Sequence, residues 1–356
     1  MYKRGQIRQR MTRRLSSTDL DLILHQTRAL WEPMRGQRIF ITGGTGFFGC
    51  WLVESFCHIN HELGLNARAT VLTRNPGKFI AKAPHLAVDP HLELLTGDVR
   101  DFKFPEGVFP FVIHAATEAS ARQAAEKPLD MLSTILTGTQ RTLEFAATHG
   151  TVRFLLTSSG AVYGRQPSDI THLPESYVGA PDPVDPTSVY AEGKRAAELL
   201  CSLYQKETGI ECAIARCWAF CGPHLPLDAH FAIGNFIGNV LRGEPISIQG
   251  DGTPRRSYLY GGDLAIWLWT MLFRAPSLTP INVGSGEDLS ILELAQRVAQ
   301  IMNPSAVVRV AGVPISGAAP LRYVPSVNRA KQLLGLEQTV SLEESIRRTA
   351  AWYSQE

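Results

Sequence analysis

The chain has 356 residues, 44% of them hydrophobic and 19% charged, which suits one large or two smaller globular domains and excludes a disordered polymer. Its 35 basic and 33 acidic residues leave a formal net charge of +2, without the concentrated basic surface of a nucleic-acid binder, and its apolar runs stop short of the roughly 18 residues of a membrane span. Six scattered cysteines without CxxC spacing exclude a disulfide framework and a zinc knuckle, so no metal is expected and the thiols fit a reducing cytoplasm.

Residues 1–14 carry Lys3, Arg4, Arg8, Arg10, Arg13 and Arg14 and no acid. No apolar stretch follows, so this is not a secretory signal. An organelle transit peptide can begin this way; a basic tail ahead of a second start at Met11 is the preferred reading. Ser17-Thr18-Asp19 then offers a helix cap, and Leu20, Ile23, Leu24, Thr27, Leu30 and Trp31 recur at helical spacing. The spacing predicts an amphipathic helix over 18–32, packed on its own domain or, alternatively, on a second subunit.

Apolar runs at Arg38–Thr42, 67–73, Leu92–Thr96, 111–115, 153–158 and Glu211–Cys217 read as buried strands. Helical patterns, as at 47–60 and 128–149, separate most of them. This alternation predicts a doubly wound parallel α/β sheet with helices on both faces. Pro and Gly punctuation from Gly222 to Gly252 marks a smaller substrate lobe. The expected division is a tail and helix at 1–35, a dinucleotide-binding domain at 36–216 and 257–283, and a C-terminal lobe at 217–256 and 284–356.

The first strand runs into Gly43-Gly44-Thr45-Gly46-Phe47-Phe48-Gly49 and then a helix. In this GxxGxxG spacing Gly43 permits the tight turn, Gly46 lets a pyrophosphate approach the backbone, and Gly49 lets helix and strand pack closely. The helix N-terminus then holds the anion. NAD binders usually end the second strand with an acid for the ribose 2′-hydroxyl. Here it ends Thr73-Arg74-Asn75. Arg74 either pairs with a 2′-phosphate or stays a solvated surface arginine, and the first reading favours NADP over NAD. Asp98, in Gly97-Asp98-Val99, is placed to accept from an adenine amino group or to cap its own loop.

Tyr190 and Lys194 stand at i and i+4, on one face of a helix that starts after Asp185-Pro186. A nearby ammonium favours the phenolate of a tyrosine. Ser158 and Ser159 end the fifth strand, at the sheet edge where such folds bind ligands.

With these residues the chain resembles the extended short-chain dehydrogenase/reductases, and within them the nucleotide-sugar epimerase/dehydratase group. The resemblance covers residues 37 to about 350. It rests on the glycine loop, Gly97-Asp98-Val99, His114-Ala115-Ala116, 157–164 (TSSGAVYG), 190–194, Gly222-Pro223, Gly250-Asp251-Gly252 and Arg256. It implies a Rossmann-type fold, a catalytic triad of Ser159, Tyr190 and Lys194, and a likeness to proteins that act as homodimers. It implies a dinucleotide against Gly43, Gly46, Phe47, Phe48, Gly49, Thr73, Arg74, Asp98, Val99, Ala115, Ala116, Tyr190 and Lys194. It also implies a nucleoside-diphosphate sugar near Ser159 and Ala219, with Arg256 and Arg322 on its diphosphate.

Departures narrow the chemistry. Dehydratases of the group read TDEVYG, decarboxylases carry a glutamate just before VYG, and 3,5-epimerases carry a cysteine there. This chain has Ala161, preceded by Gly160. The asparagine usual before the Gly-Pro turn is replaced in Cys217-Trp218-Ala219-Phe220-Cys221, and Ile135 replaces another. His224 and Cys221 are the only nearby substitutes for the missing proton-transfer group. Yet the wording of 190–200 and 255–264 is closest to the decarboxylase-like subgroup. The leading expectation is a nucleotide-sugar 4-epimerase. The alternatives are an NADPH-dependent 4-ketosugar reductase, a 4,6-dehydratase or decarboxylase, and a non-catalytic dinucleotide sensor.

Overall fold

In the computed structural model, which describes residues 14–117, 121–229 and 231–354 (without the side chains of 121–123), seven short apolar runs pair in parallel as one central sheet. They are β1 Arg38–Thr42, β2 Arg68–Thr73, β3 Leu92–Thr96, β4 Phe111–His114, β5 Arg153–Ser159, β6 Glu211–Cys217 and β7 Pro280–Val283. Their order is β7-β6-β5-β4-β1-β2-β3. β1, β4, β5 and β6 are buried along nearly their whole length, which is why their sequences run apolar without alternating. The basic tail of residues 1–13, with Met11, lies outside the described residues.

The longer helices are α1 Ser17–Thr27, α2 Phe47–Glu62, α3 Pro128–Thr148, α4 Val189–Thr208, α5 Ala232–Leu241, α6 Gly261–Arg274, α7 Ile291–Met302 and α8 Leu342–Ser354. Successive strand side chains point to opposite faces, so each strand feeds two cores. Ile39, Ile41, Ile113 and Leu155 meet α1, α2 and α6. Phe40, Val112, Phe154 and Leu156 meet α3 and α4 on the other side. Strand order reverses between β1 and β4, which opens a crevice at their C-terminal ends.

The smaller lobe gathers a third core from α5, α7 and α8. Ile246–Ile248 pairs with Val308–Val310. Arg255–Arg256 pairs antiparallel with Leu289–Ser290 and parallel with Arg322–Tyr323. These two-residue pairings return the end of the chain to the sheet's ligand edge. No described helix is long and apolar enough to cross a membrane.

The first helix packs on its own domain. Trp31 is fully buried, with its ring 4.7 Å from Trp269, 5.4 Å from Phe273 and 6.4 Å from Phe56. The α-helix itself stops at Thr27 rather than at residue 32, and two tighter 3₁₀ turns carry the chain to Met34. The Thr27 hydroxyl donates to the Ile23 carbonyl and accepts from the Trp31 indole at 3.0 Å. Pro33 then lies inside the second turn, where it could not have continued an α-helix. Asp19, 2% exposed, accepts from the Tyr260 hydroxyl at 2.8 Å and from Arg348 of α8 at 2.6 Å.

Trp31→Ala removes the ring that joins α1 to α2 and α6. It should cost about 3–5 kcal/mol, the usual range for emptying an aromatic site. The check is a lower urea midpoint with an unchanged m-value.

Candidate active site

The site begins where β1 meets α2. Gly43 has φ +72°, and a Cβ there would meet the Ala115 carbonyl oxygen at 2.3 Å. A Cβ on Gly49 would fall 2.3 Å from the Gly43 oxygen. The first and third glycines therefore let β1, β4 and α2 converge. At Gly46, the residue before α2, a Cβ would meet nothing nearer than 3.5 Å. That open side, ahead of a helix N-terminus, fits a dinucleotide pyrophosphate. Phe47 and Phe48 lie with rings 5.9 Å apart, and Phe48 meets Phe220 edge-on at 5.0 Å. The N–H groups of Ala115 and Ala116 bond back to Thr42, closing the β4 side of the crevice.

Thr73 is buried at the end of β2 and Arg74 is exposed beside it. The charge of Arg74 reaches Asp98. Asp98 is held chiefly by Arg100, at 2.8 and 3.0 Å, which lowers its pKa below the ordinary carboxylate value. Val99 is buried against Gly138 of α3. His114 bridges Thr42 and Thr139, and burial lowers its pKa to about 3, so it is neutral.

The triad assembles between β5 and α4. Ser159 is buried and its hydroxyl accepts from the Ala161 N–H at 3.1 Å. Tyr190 lies close to Ser159. Lys194, 2% exposed, donates to the Thr157 carbonyl at 2.7 Å and to the Thr117 hydroxyl at 2.9 Å. Its Nζ is 5.9 Å from the centre of the Tyr190 ring. Ser158 is turned away, donating to Glu198, which also binds Arg216. Burial lowers the Lys194 pKa to about 8. Burial also pushes the Tyr190 phenol up to about 12, only partly offset by Ser159. Desolvation thus opposes the phenolate that a nearby ammonium favours.

Opposite the triad stands an aromatic wall that no motif announced. Trp218 packs on Tyr323, with rings 4.3 Å apart, and donates to Asn282. Tyr323 lies close to both Ser159 and Tyr190. Ala161 is partly exposed next to Ser159, and Ala219 follows Trp218 at the lobe boundary. The Arg256 guanidinium lies 5.7 Å from the Tyr323 ring and, among the described residues, has no carboxylate partner. Arg322 differs: it pairs with Asp288, which Arg255 also contacts. Cys221 bonds Thr349 and His224 lies against Trp352, so both pack on α8. Among the described residues no cluster suits a metal ion.

The family model for the NAD dependent epimerase/dehydratase family matches residues 39–284. The chain is 33% identical to UDP-glucuronic acid decarboxylase 3 of Arabidopsis thaliana over 87% of its length and 86% of that protein. It is 31% identical to UDP-glucuronic acid decarboxylase 1 of Danio rerio, over 90% of this chain and 73% of that one. It also resembles the solved UDP-glucose 4-epimerase of Thermus thermophilus in complex with NAD, with 25% identity and a TM-score of 0.73, over 90% of this chain and all of that one. The glycine crevice and the triad described above are thus set in a fold shared with enzymes, and the chain belongs to the NAD-dependent epimerase/dehydratase family, as an enzyme of the extended short-chain dehydrogenase/reductase type.

Proposed function

We propose that the chain oxidises the C4 hydroxyl of a nucleoside-diphosphate sugar to a ketone and that, on a hexuronic acid, it then releases the C6 carboxylate as carbon dioxide. The observation that carries the second step is the likeness to UDP-glucuronic acid decarboxylases along nearly the whole chain. It favours this outcome over the 4-epimerase expected first.

The chain's own residues divide the work. Bound along the glycine crevice, an oxidised nicotinamide dinucleotide would supply the hydride acceptor and a positive ring. Tyr190 takes the O4 proton, and Ser159 orients O4 between the two phenols. Lys194, mostly protonated at neutral pH, offsets the charge that develops on Tyr190. Arg256 supplies the uncommitted cation for diphosphate or carboxylate. Ala161 does not block loss of carbon dioxide, since a carboxylate β to a ketone passes its electron pair to that ketone and needs no base. Where the sugar has no carboxylate, Ala161 favours a second reading, simple epimerisation or reduction at C4, because it offers no group to move a C5 proton.

A panel of UDP-, dTDP-, CDP- and GDP-sugars, uronic acids included, tests the proposal, with products followed by NMR in deuterated water. The expected result is carbon dioxide and a pentose nucleotide from a uronic acid. Tyr190→Phe should lower that turnover by roughly 10²–10⁴. A C4 epimer with no carbon dioxide selects the second reading.

The cofactor reading is tested at Arg74. The family and its solved relative point to NAD, while the exposed Arg74, with no acid at Thr73, supports NADP. Arg74→Ala should weaken NADP(H) far more than NAD(H) in a titration of intrinsic fluorescence. Equal losses would make Arg74 a surface cation.

Lys194 also yields a stability prediction with a definite sign. Its folded pKa, about 8, lies below the ordinary lysine value. Between the two, the unfolded chain holds a proton that the folded chain lacks, so this group's penalty is fully present below about pH 8 and fades as pH rises toward the ordinary value. The melting temperature of Lys194→Met relative to wild type should therefore be higher at pH 7 than at pH 10.

A further inference from the structure

We infer that Tyr323 is the proton donor of the reaction cavity, delivering its hydroxyl proton to C5 of the sugar after carbon dioxide has left. This rests on the uronic-acid reading above. Tyr323 sits on the strand pair Arg322–Tyr323 and Arg255–Arg256, packs on Trp218 at 4.3 Å and lies close to Ser159 and Tyr190. Both phenols thus lie beside the group proposed to meet O4, one carbon from C5.

The position of Tyr323 depends on the two residues that depart from the family pattern. A Cβ on Gly160 would meet the Trp218 indole at 2.6 Å. Glycine there lets the indole advance, with its N–H fixed on Asn282 at 3.1 Å. The indole in turn backs the Tyr323 ring at 4.3 Å. Ala161, partly exposed beside Ser159, is the second small residue of this turn. A phenol from across the cleft therefore stands near the place where related enzymes carry an acid on the strand-end turn.

The step balances. Oxidation at C4 by the nicotinamide dinucleotide leaves a ketone β to the C6 carboxylate. The C5–C6 bond breaks, its electron pair forms the enolate of C5, C4 and O4, and carbon dioxide departs. The enolate pair then forms a C5–H bond with the Tyr323 proton, restoring the ketone. The tyrosine O–H bond breaks, and the phenolate takes a proton from water. Burial raises the Tyr323 pKa above its ordinary value, so the proton is present at neutral pH. Arg256, 5.7 Å from the ring, steadies the phenolate between turnovers.

Tyr323→Phe keeps the ring on Trp218 and removes only the donor. The full chain, UDP-glucuronic acid and the dinucleotide are combined in deuterated water. In one turnover the variant should form reduced nicotinamide at the wild-type rate. Steady-state product should fall by roughly 10²–10⁴. The deuterium that wild type places on one face of C5 should spread over both faces. Wild-type turnover with one-face deuterium overturns the role. So does an equal loss of reduced nicotinamide formation, which would make Tyr323 a packing or binding residue. Wild-type enzyme that releases no carbon dioxide from UDP-glucuronic acid refutes the functional reading itself, and the role of Tyr323 with it.

Discussion

The active site depends on a buried ammonium held by neutral oxygens. Lys194 is fixed by the Thr157 carbonyl and the Thr117 hydroxyl, not by a carboxylate. Those bonds join α4 to the end of β5 and to the segment after β4. They set the rotation of α4, and with it the place of Tyr190 one turn earlier over Ser159. A carboxylate on Lys194 would neutralise the field that the role proposed for Tyr190 requires. The nearest acid on the same helix, Glu198, is occupied by Arg216 and Ser158. The neighbouring ion pair thus leaves the cation available at the cost of desolvating it.

Much of this was legible in the sequence because it is local. A strand buried on both faces reads as an unbroken apolar run, and 38–42 and 211–217 have the same limits in the structure; 92–96 keeps its limits too, but as the edge strand it is half-buried rather than buried. Tyr190 and Lys194 announce their shared face by spacing. Gly43 and Gly49 announce a close approach that any side chain would obstruct. Tyr323 and Trp218 had no such signal. They meet through a two-residue strand and one ring contact between distant segments, and neither leaves a period in the sequence. The commitment of Arg322 to Asp288 was hidden for the same reason. For Tyr190, spacing gives a neighbouring charge but not the missing water that raises its pKa.

The same distinction explains why the reaction outcome was harder to read than the family. Taken alone, Ala161 offers no proton-transfer group and closes several routes. In the structure its neighbour Gly160 admits the Trp218 indole, which backs the Tyr323 ring. A function missing from one strand end can be supplied across a cleft, provided the two lobes are held in register. Here the Trp218–Asn282 bond joins them, and the strand pairing at Arg255–Arg256 fixes Tyr323 within the smaller lobe.

Asp19 gives the molecule an order of assembly. Its buried carboxylate is satisfied by Tyr260 and by Arg348 in the last helix. During synthesis α1 leaves the ribosome well before α8. Until α8 arrives, docking α1 would bury an acid short of its cation. Helix α1 must therefore wait for α8, and the Rossmann half cannot be sealed while the later lobe is still being made. A stalled or truncated nascent chain would leave the Trp31 face open, an apolar surface by which a chaperone or protease can tell unfinished copies from complete ones.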